Sequence, residues 1–262
     1  MSDPRLTPDP SRRKQAVRRR VSVPVLDLCR RIEGPRDRQL LFGAGVTVFD
    51  VEDGWAYVQA EQDGYCGFVT ASGLAEDREV THRVIAPSTH IYAAADFKSP
   101  DRMALSHGSR LSVEGEEGRF ARTPDGYVPR VHIAPASDEA SDPVEVAQLY
   151  LGTPYLWGGN SRWGIDCSGL VQAALLACGI DCPGDSDMQA ALGHPATDGY
   201  RRNDLLFWKG HVALVSDADT LIHANAHVMA TVFEPIEDAI RRIEAQGDGA
   251  VTAHRRIADL TE

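Results

Sequence analysis

The chain has 262 residues, 43% of them hydrophobic, which is enough to bury a core and to build one large domain or two to three small ones. Acidic residues outnumber basic ones 38 to 27, and the excess grows beyond residue 20, where 36 acids face 20 bases; such a body repels nucleic acid. No run of about 18 apolar residues is present, so a membrane-spanning helix is not expected.

Residues 1–20 hold seven Lys or Arg side chains with Pro4, Pro8 and Pro10 and no apolar stretch of the kind secretion requires. They read as a basic, disordered, solvated tail, and the chain as cytoplasmic. The five cysteines (Cys29, Cys66, Cys167, Cys178, Cys182) are odd in number and irregularly spaced, which fits no disulfide framework and suits a reducing compartment. Cys178 and Cys182 lack a second pair nearby, so they read as buried thiols and not as metal ligands.

From 21 to 135 short alternating apolar and polar bursts are broken by turn signals. "VTVFDVEDGWAYVQAEQDGYCGFVTASGL" holds three bursts separated by "EDG" and "QDG", the pattern of a small antiparallel barrel over 21–78. A looser copy over 79–135, with a late "DGY" strand in both, reads as an internal repeat of about 55 residues. "PASDEASD" then supplies a polar linker, 136–142, and the third domain spans 143–262.

Asp142 followed by Pro143 predicts a helix start, with "PVEVAQLYL" as the helix and Gly152 as its stop. "SGLVQAALLACG" predicts a second helix with Leu170, Val171, Ala174, Leu175 and Cys178 on one stripe and Gly179 as terminator. Strands are expected at 204–208, 211–216, 220–225 and 228–233, a helix near 236–245 and a last strand near 249–257, an α+β arrangement.

With Asp166 as N-cap, Cys167 sits where backbone N–H groups are unpaired and the helix dipole is positive, so a depressed pKa and a reactive thiolate are expected. If Asp217–Asp219 is a hairpin turn, residues whose numbers sum to about 436 face each other across it. His211 is then diagonal to His223 on the same sheet face, one as base and the other as its orienter. A one-residue slip would separate them. Each histidine alone is more often structural, and Cys167, His211 and His223 are also residue types that suit Zn²⁺, although no short paired-ligand motif is present.

"GTPYLWGGNSRWGIDCSGLVQ", "NDLLFWKGHVALV" and "LIHAN" together resemble the NlpC/P60 family of papain-like cysteine peptidases, which cut peptidoglycan stem peptides; the resemblance covers about 143–262. It implies Cys167 as nucleophile, His211 as general base, His223 as orienter and Tyr155 as an oxyanion residue, with no cofactor and no metal. The upstream segments resemble bacterial SH3 domains. The implied fold is therefore multi-domain: two small all-β SH3-like barrels followed by an α+β papain-like NlpC/P60 domain.

That domain order resembles the γ-D-glutamyl-L-diamino acid endopeptidases (dipeptidyl-peptidase VI). The implied activity is hydrolysis of the γ-D-Glu–diamino acid (meso-diaminopimelate) amide in short peptides with a free N-terminal L-Ala, for murein peptide recycling. Asp166, Ser168, Ser186 and Tyr65 match its substrate-binding positions; Tyr65 read from its own surroundings is equally a barrel core residue. Two positions depart from the pattern, Gly184 in "PGDSDMQ" in place of arginine and Ala44 in "LFGA" in place of an acid. They leave two other readings open: a catalytically impaired wall-peptide binding protein, and a Cys–His hydrolase of another amide. The expected partner is a peptidoglycan-derived peptide, with no nucleic acid and no membrane span.

Overall fold

The computed structural model describes residues 3–257, in two compact units that part between Asp138 and Glu139. The fold is mostly β with few helices.

In the first unit seven strands form one antiparallel sheet in the order Arg36–Leu41, Val25–Cys29, Cys66–Thr70, Trp55–Ala60, Gly45–Glu52, Val17–Val21 and Leu74–Glu76. Alternating residues such as Leu26 and Leu28, Val46 and Val48, Ala56 and Val58 are buried, as a pleated strand with one face on a core requires. The "EDG" signal is a two-residue hairpin turn, with Asp53 and Gly54 both at positive φ between the paired Glu52 and Trp55.

The tail expected over 1–20 is overturned wherever the chain is described. Val17–Val21 is a strand paired on both sides, with Gly45–Glu52 and Leu74–Glu76. Asp50 draws in Arg12 at 3.3 Å and Lys14 at 3.0 Å, and the Arg12 and Arg13 guanidiniums lie over the Phe68 and Phe49 rings. Arg20 is buried and reaches Asp125. The basic run neutralises an acidic, aromatic sheet, a long-range match that local composition does not reveal.

Residues 82–135 form a five-stranded and a three-stranded sheet around Val84, Ile91, Leu105, Leu111, Ala121, Val128 and Ile133. Phe42, which lies in the first segment by sequence, packs into this second core, and its carbonyl accepts the Arg110 N–H. The two segments are thus joined by a shared core residue.

The second unit places a six-stranded antiparallel sheet between helices. Its order is His194–Pro195, Ala253–Arg256, Leu205–Trp208, His211–Val215, Thr220–Asn225 and Ala230–Pro235. Leu205, Phe207, Val212, Leu214, Ile222 and Ala224 face α1 (Pro143–Gln148) and α2 (Cys167–Ala177). Leu206, Trp208, Ala213, Val215 and Leu221 face α4 (Ile236–Gln246), while α3 (Ser186–Gln189) packs beside α2.

Asp142 caps α1 by accepting the Val144 N–H at 2.9 Å. The helix stops at Gln148, short of Leu151, because the next three residues tighten into bonds to carbonyls three residues back. Around α2 burial is not confined to the expected stripe: Ser168, Gly169, Gln172 and Ala177 are buried too, so the helix is enclosed on all sides.

Candidate active site

The N-terminus of α2 is built by Asp166. Its Oδ1 accepts the Gly169 N–H at 2.7 Å and the Ser168 hydroxyl at 3.1 Å, and its Oδ2 accepts the Gly158 N–H at 2.8 Å. One carboxylate therefore caps the helix and ties it to the glycine loop before it. Gly169 is required by contact: a Cβ there would lie 2.5 Å from the Gly159 carbonyl oxygen, on backbone that cannot swing away.

Cys167, the first residue of α2, is buried and shares a core with Val212, the second residue of the strand His211–Val215. Burial, helped by the Asp166 charge, pushes the thiol up to about 12. The expected depressed pKa is corrected: desolvation and a neighbouring anion outweigh the helix N-terminus.

α2 packs against the strand His211–Val215, and Val212, next to His211, lies in the same core as Cys167. The hairpin pairs Leu214 with Ile222 and Val215 with Leu221, the register summing to 436. His211 and His223 share a face, with His211 Nε2 and His223 Nδ1 2.9 Å apart and the rings edge to face. Burial drives His211 down to about 3, with the neighbouring His223 and Arg242 adding to the shift and Glu234 opposing it. His223 is lowered for the same first reason, against the pull of Glu234. All three shifts run toward the uncharged forms, a thiol and two neutral imidazoles.

Beyond His223 the row continues into residues the motif did not single out. Its Nε2 lies 2.9 Å from Glu234 Oε2 and 2.8 Å from Asn225 Nδ2. Glu234 accepts a two-point fork from Arg242 of α4, Nε to Oε1 at 2.9 Å and Nη2 to Oε2 at 2.7 Å. The sequence carried a signal for this: His223 pairs with Val232, so Glu234 is the next residue on the same face. The strand expected at 228–233 stopped one residue short of it.

Tyr155 donates its N–H to the Met229 carbonyl, and burial, with the Cys167 and Asp166 groups adding to it, raises its phenol above its ordinary value. Ser168 is buried with its hydroxyl on Asp166. Ser186 is half-buried and opens α3, which is fixed to the nucleophile turn by Gln189, whose Nε2 donates to the Ser168 and Pro183 carbonyls at 2.9 Å each. Tyr65 belongs to the first unit, buried with the Arg38 guanidinium over its ring. Among the described residues Cys29, Cys66, Cys178 and Cys182 form no disulfide.

Residues 152–240 match the NlpC/P60 family, and residues 28–74 match the bacterial dipeptidyl-peptidase SH3 domain. The chain carries an NlpC/P60 cysteine peptidase domain and a bacterial SH3 domain. It is 28% identical over 219 residues to dipeptidyl-peptidase 6 of Lysinibacillus sphaericus, covering 71% of this chain and 79% of that protein. It is 26% identical over 223 residues to γ-D-glutamyl-L-lysine dipeptidyl-peptidase of Bacillus cereus, covering 72% and 67%. A crystal structure of an NlpC/P60 family protein from Bacillus cereus superposes with a TM-score of 0.76 at 20% identity over 92% of this chain and 99% of that one, a likeness of fold. Among the described residues no helix is long and apolar enough to cross a membrane.

Proposed function

We propose that this cysteine peptidase hydrolyses the amide between γ-D-Glu and a diamino acid in short peptidoglycan-derived peptides that begin with a free L-Ala. The observation that carries the reading is Cys167 at the N-terminus of α2, buried in one core with Val212, whose neighbour His211 lies 2.9 Å from His223. Relatives named for γ-D-glutamyl-L-lysine cleavage and for dipeptidyl-peptidase 6 support the substrate class. Cys167 is the nucleophile, His211 the general base and His223 its orienter.

A raised thiol beside lowered imidazoles supports reading the pair as a general-base system. As the sulfur attacks the carbonyl carbon, its proton passes to His211 Nδ1, and the developing oxyanion is met by backbone N–H groups at the α2 N-terminus and by the Tyr155 hydroxyl. The His211 imidazolium then protonates the leaving amine of the diamino acid. Water, deprotonated by the same nitrogen, hydrolyses the thioester and releases L-Ala-D-Glu.

Asp166, Ser168 and Ser186 are assigned to the substrate's amino end. Three internal hydrogen bonds orient the Asp166 carboxylate beside the nucleophile. The first unit is read as two SH3-like barrels, 21–78 with the added strand from Val17, and 79–135. The second has its own core but no separate family match. A cytoplasmic role in recycling wall peptides is part of the same reading, which the odd number and irregular spacing of the five cysteines suit.

The test is mass spectrometry of L-Ala-γ-D-Glu-meso-diaminopimelate, its L-lysine counterpart and their N-acetylated forms, with wild type and Cys167→Ala. Release of L-Ala-D-Glu from free-amine peptides by wild type alone is the expected result. Cleavage of acetylated peptides as well removes the amine selectivity and points to Ala44. No cleavage of any peptide overturns the assignment in favour of a binding module or another amide.

A further inference from the structure

A His–His pair transmits a proton position as well as an orientation. Each neutral imidazole has one ring proton, and a hydrogen bond between His211 Nε2 and His223 Nδ1 allows that proton on one of the two nitrogens only. If His211 Nε2 donates, its Nδ1 is bare and can take the Cys167 proton. If His223 Nδ1 donates, the His211 proton is forced onto Nδ1, where it blocks the sulfur's proton.

The choice is made one step further out, at His223 Nε2, where two neighbours make opposite demands. Asn225 Oδ1 is occupied by the Val228 N–H at 3.0 Å, so its Nδ2 faces the ring at 2.8 Å and can only donate. Glu234 Oε2, at 2.9 Å, can only accept. A proton on Nε2 satisfies Glu234 and makes Nδ1 an acceptor; a bare Nε2 satisfies Asn225 and makes Nδ1 a donor.

Resting on the function proposed above, we infer that Glu234, clamped by Arg242, is the positioning residue that fixes the tautomers of His223 and His211 and leaves His211 Nδ1 free for the Cys167 proton. A charge-assisted hydrogen bond is about twice as strong as a neutral one, so an ionised Glu234 outcompetes the Asn225 amide. The charge is secured by geometry: both Glu234 oxygens lie on the planar fork of Arg242. Burial alone would raise the Glu234 carboxyl, but the Arg242 and His223 hydrogen bonds hold it at about 2. The charged groups acting on the two rings are Glu234 on the neighbouring strand and Arg242 on α4, while α2 contributes Cys167 and Asp166, which act on each other at the sulfur.

The topology explains why one carboxylate can do this. His223 pairs with Val232, so Glu234 stands diagonally beside it on the face that α4 covers, and α4 begins two residues later. Arg242 returns to that face eight residues after Glu234 in sequence.

The experiment is ¹⁵N NMR of protein labelled in its histidine rings, with His211 and His223 assigned by single substitutions, alongside steady-state kinetics on the peptide. In wild type at pH 7 both rings are expected to carry the proton on Nε2. In Glu234→Gln, His211 and His223 move to a mixed or Nδ1-protonated state, and kcat falls roughly 10²- to 10⁴-fold, the scale of a catalytic histidine held in the wrong tautomer, with KM within about twofold. Adding Asn225→Ala to Glu234→Gln removes the rival donor and returns the rings toward Nε2–H, which a merely structural role for Glu234 does not predict. Arg242→Gln gives the same shift in smaller degree and serves if Glu234→Gln does not fold. An Nδ1 proton on His211 in wild type, or unchanged ring nitrogens in Glu234→Gln, overturns the inference. A wild type that cleaves no peptide overturns only the function, because the ring nitrogens still report the tautomer.

Discussion

The second unit contains the same three-part arrangement twice, a histidine Nε2 on a carboxylate that is also forked by an arginine. In one copy His254 lies 2.7 Å from Asp204 Oδ2, and Arg256 donates to both Asp204 oxygens at 2.8 Å. In the other, His223 meets Glu234 and Arg242. The inner groups are alike, and the outer nitrogen of each histidine separates them. His254 packs its ring at a tilt against Tyr200 and crosses between strands as a brace, with Asp204 also holding the Arg201 N–H and Arg256 also holding Asp198. His223 turns its other nitrogen to His211, at the start of the strand that packs against α2. A carboxylate–histidine–arginine cluster is thus a general way to lock an imidazole between strands, and chemistry follows from what the locked ring faces.

The largest effect should come from the residue only one cluster serves. Cys167→Ala is expected to lower kcat at least about 10⁴-fold while leaving the melting temperature within a few degrees, because the loss falls on a reacting atom. Peptide turnover and a thermal melt check it together; retained turnover would remove the sulfur from the chemistry and with it the contrast between the clusters.

Asp204→Asn should reverse that signature. Asp204 is 1% exposed, and its loss strands Arg256 without its main partner, so a stability loss of about 3–5 kcal/mol is expected, with kcat of the folded fraction unchanged. Urea unfolding with kinetics on the surviving enzyme decides it, and a fall in kcat without a fall in stability would make the two clusters equivalent.

Gly169→Ala presses a methyl onto the Gly159 carbonyl, which should cost about 1–3 kcal/mol and lower kcat through displacement of the α2 N-terminus. The melting temperature of this variant against Gly210→Ala, where the added Cβ meets no neighbour and only a positive φ is strained, isolates the contact.

The smallest effect is one of pH. Glu234 is held at about 2, below its ordinary value of 4.5, so its contribution to stability is complete above about 4.5 and is lost as pH falls toward 2. His211, lowered to about 3, acts in the same direction: between about 6.5 and 3 the unfolded chain takes up a proton that the folded ring refuses, so acid destabilises. His107 in the first unit, lowered to about 4 by burial, adds to the same slope. Melts across pH 3 to 7 should flatten partly in Glu234→Gln and partly in His107→Gln; an unchanged slope in both would assign acid sensitivity elsewhere.

Much of the second unit was legible in the residues themselves. Asp142 and Asp166 announce the two helix starts, since a side-chain oxygen before an apolar run satisfies an otherwise orphaned N–H. The hairpin register and the shared face of His211 and His223 follow from strand alternation alone. The basic stretch was misread because Arg12, Lys14 and Arg20 find partners at Asp50, Glu52 and Asp125, tens to over a hundred positions away. Composition reports that charges exist, and only the fold reports whom they meet.

Sequence by itself determined the local devices: the caps, the Asp53–Gly54 turn, the alternation of the sheet and the candidacy of Cys167, His211 and His223. Tertiary structure decided the electrostatics. The Cys167 thiol is raised by burial around α2, and a carboxylate and an arginine reach His223 from the next strand and the next helix. The reason is one of range: capping and pleating are settled within a few residues, whereas desolvation and charge pairing sum over everything that packs around a group, and the neighbours in space are not the neighbours in sequence.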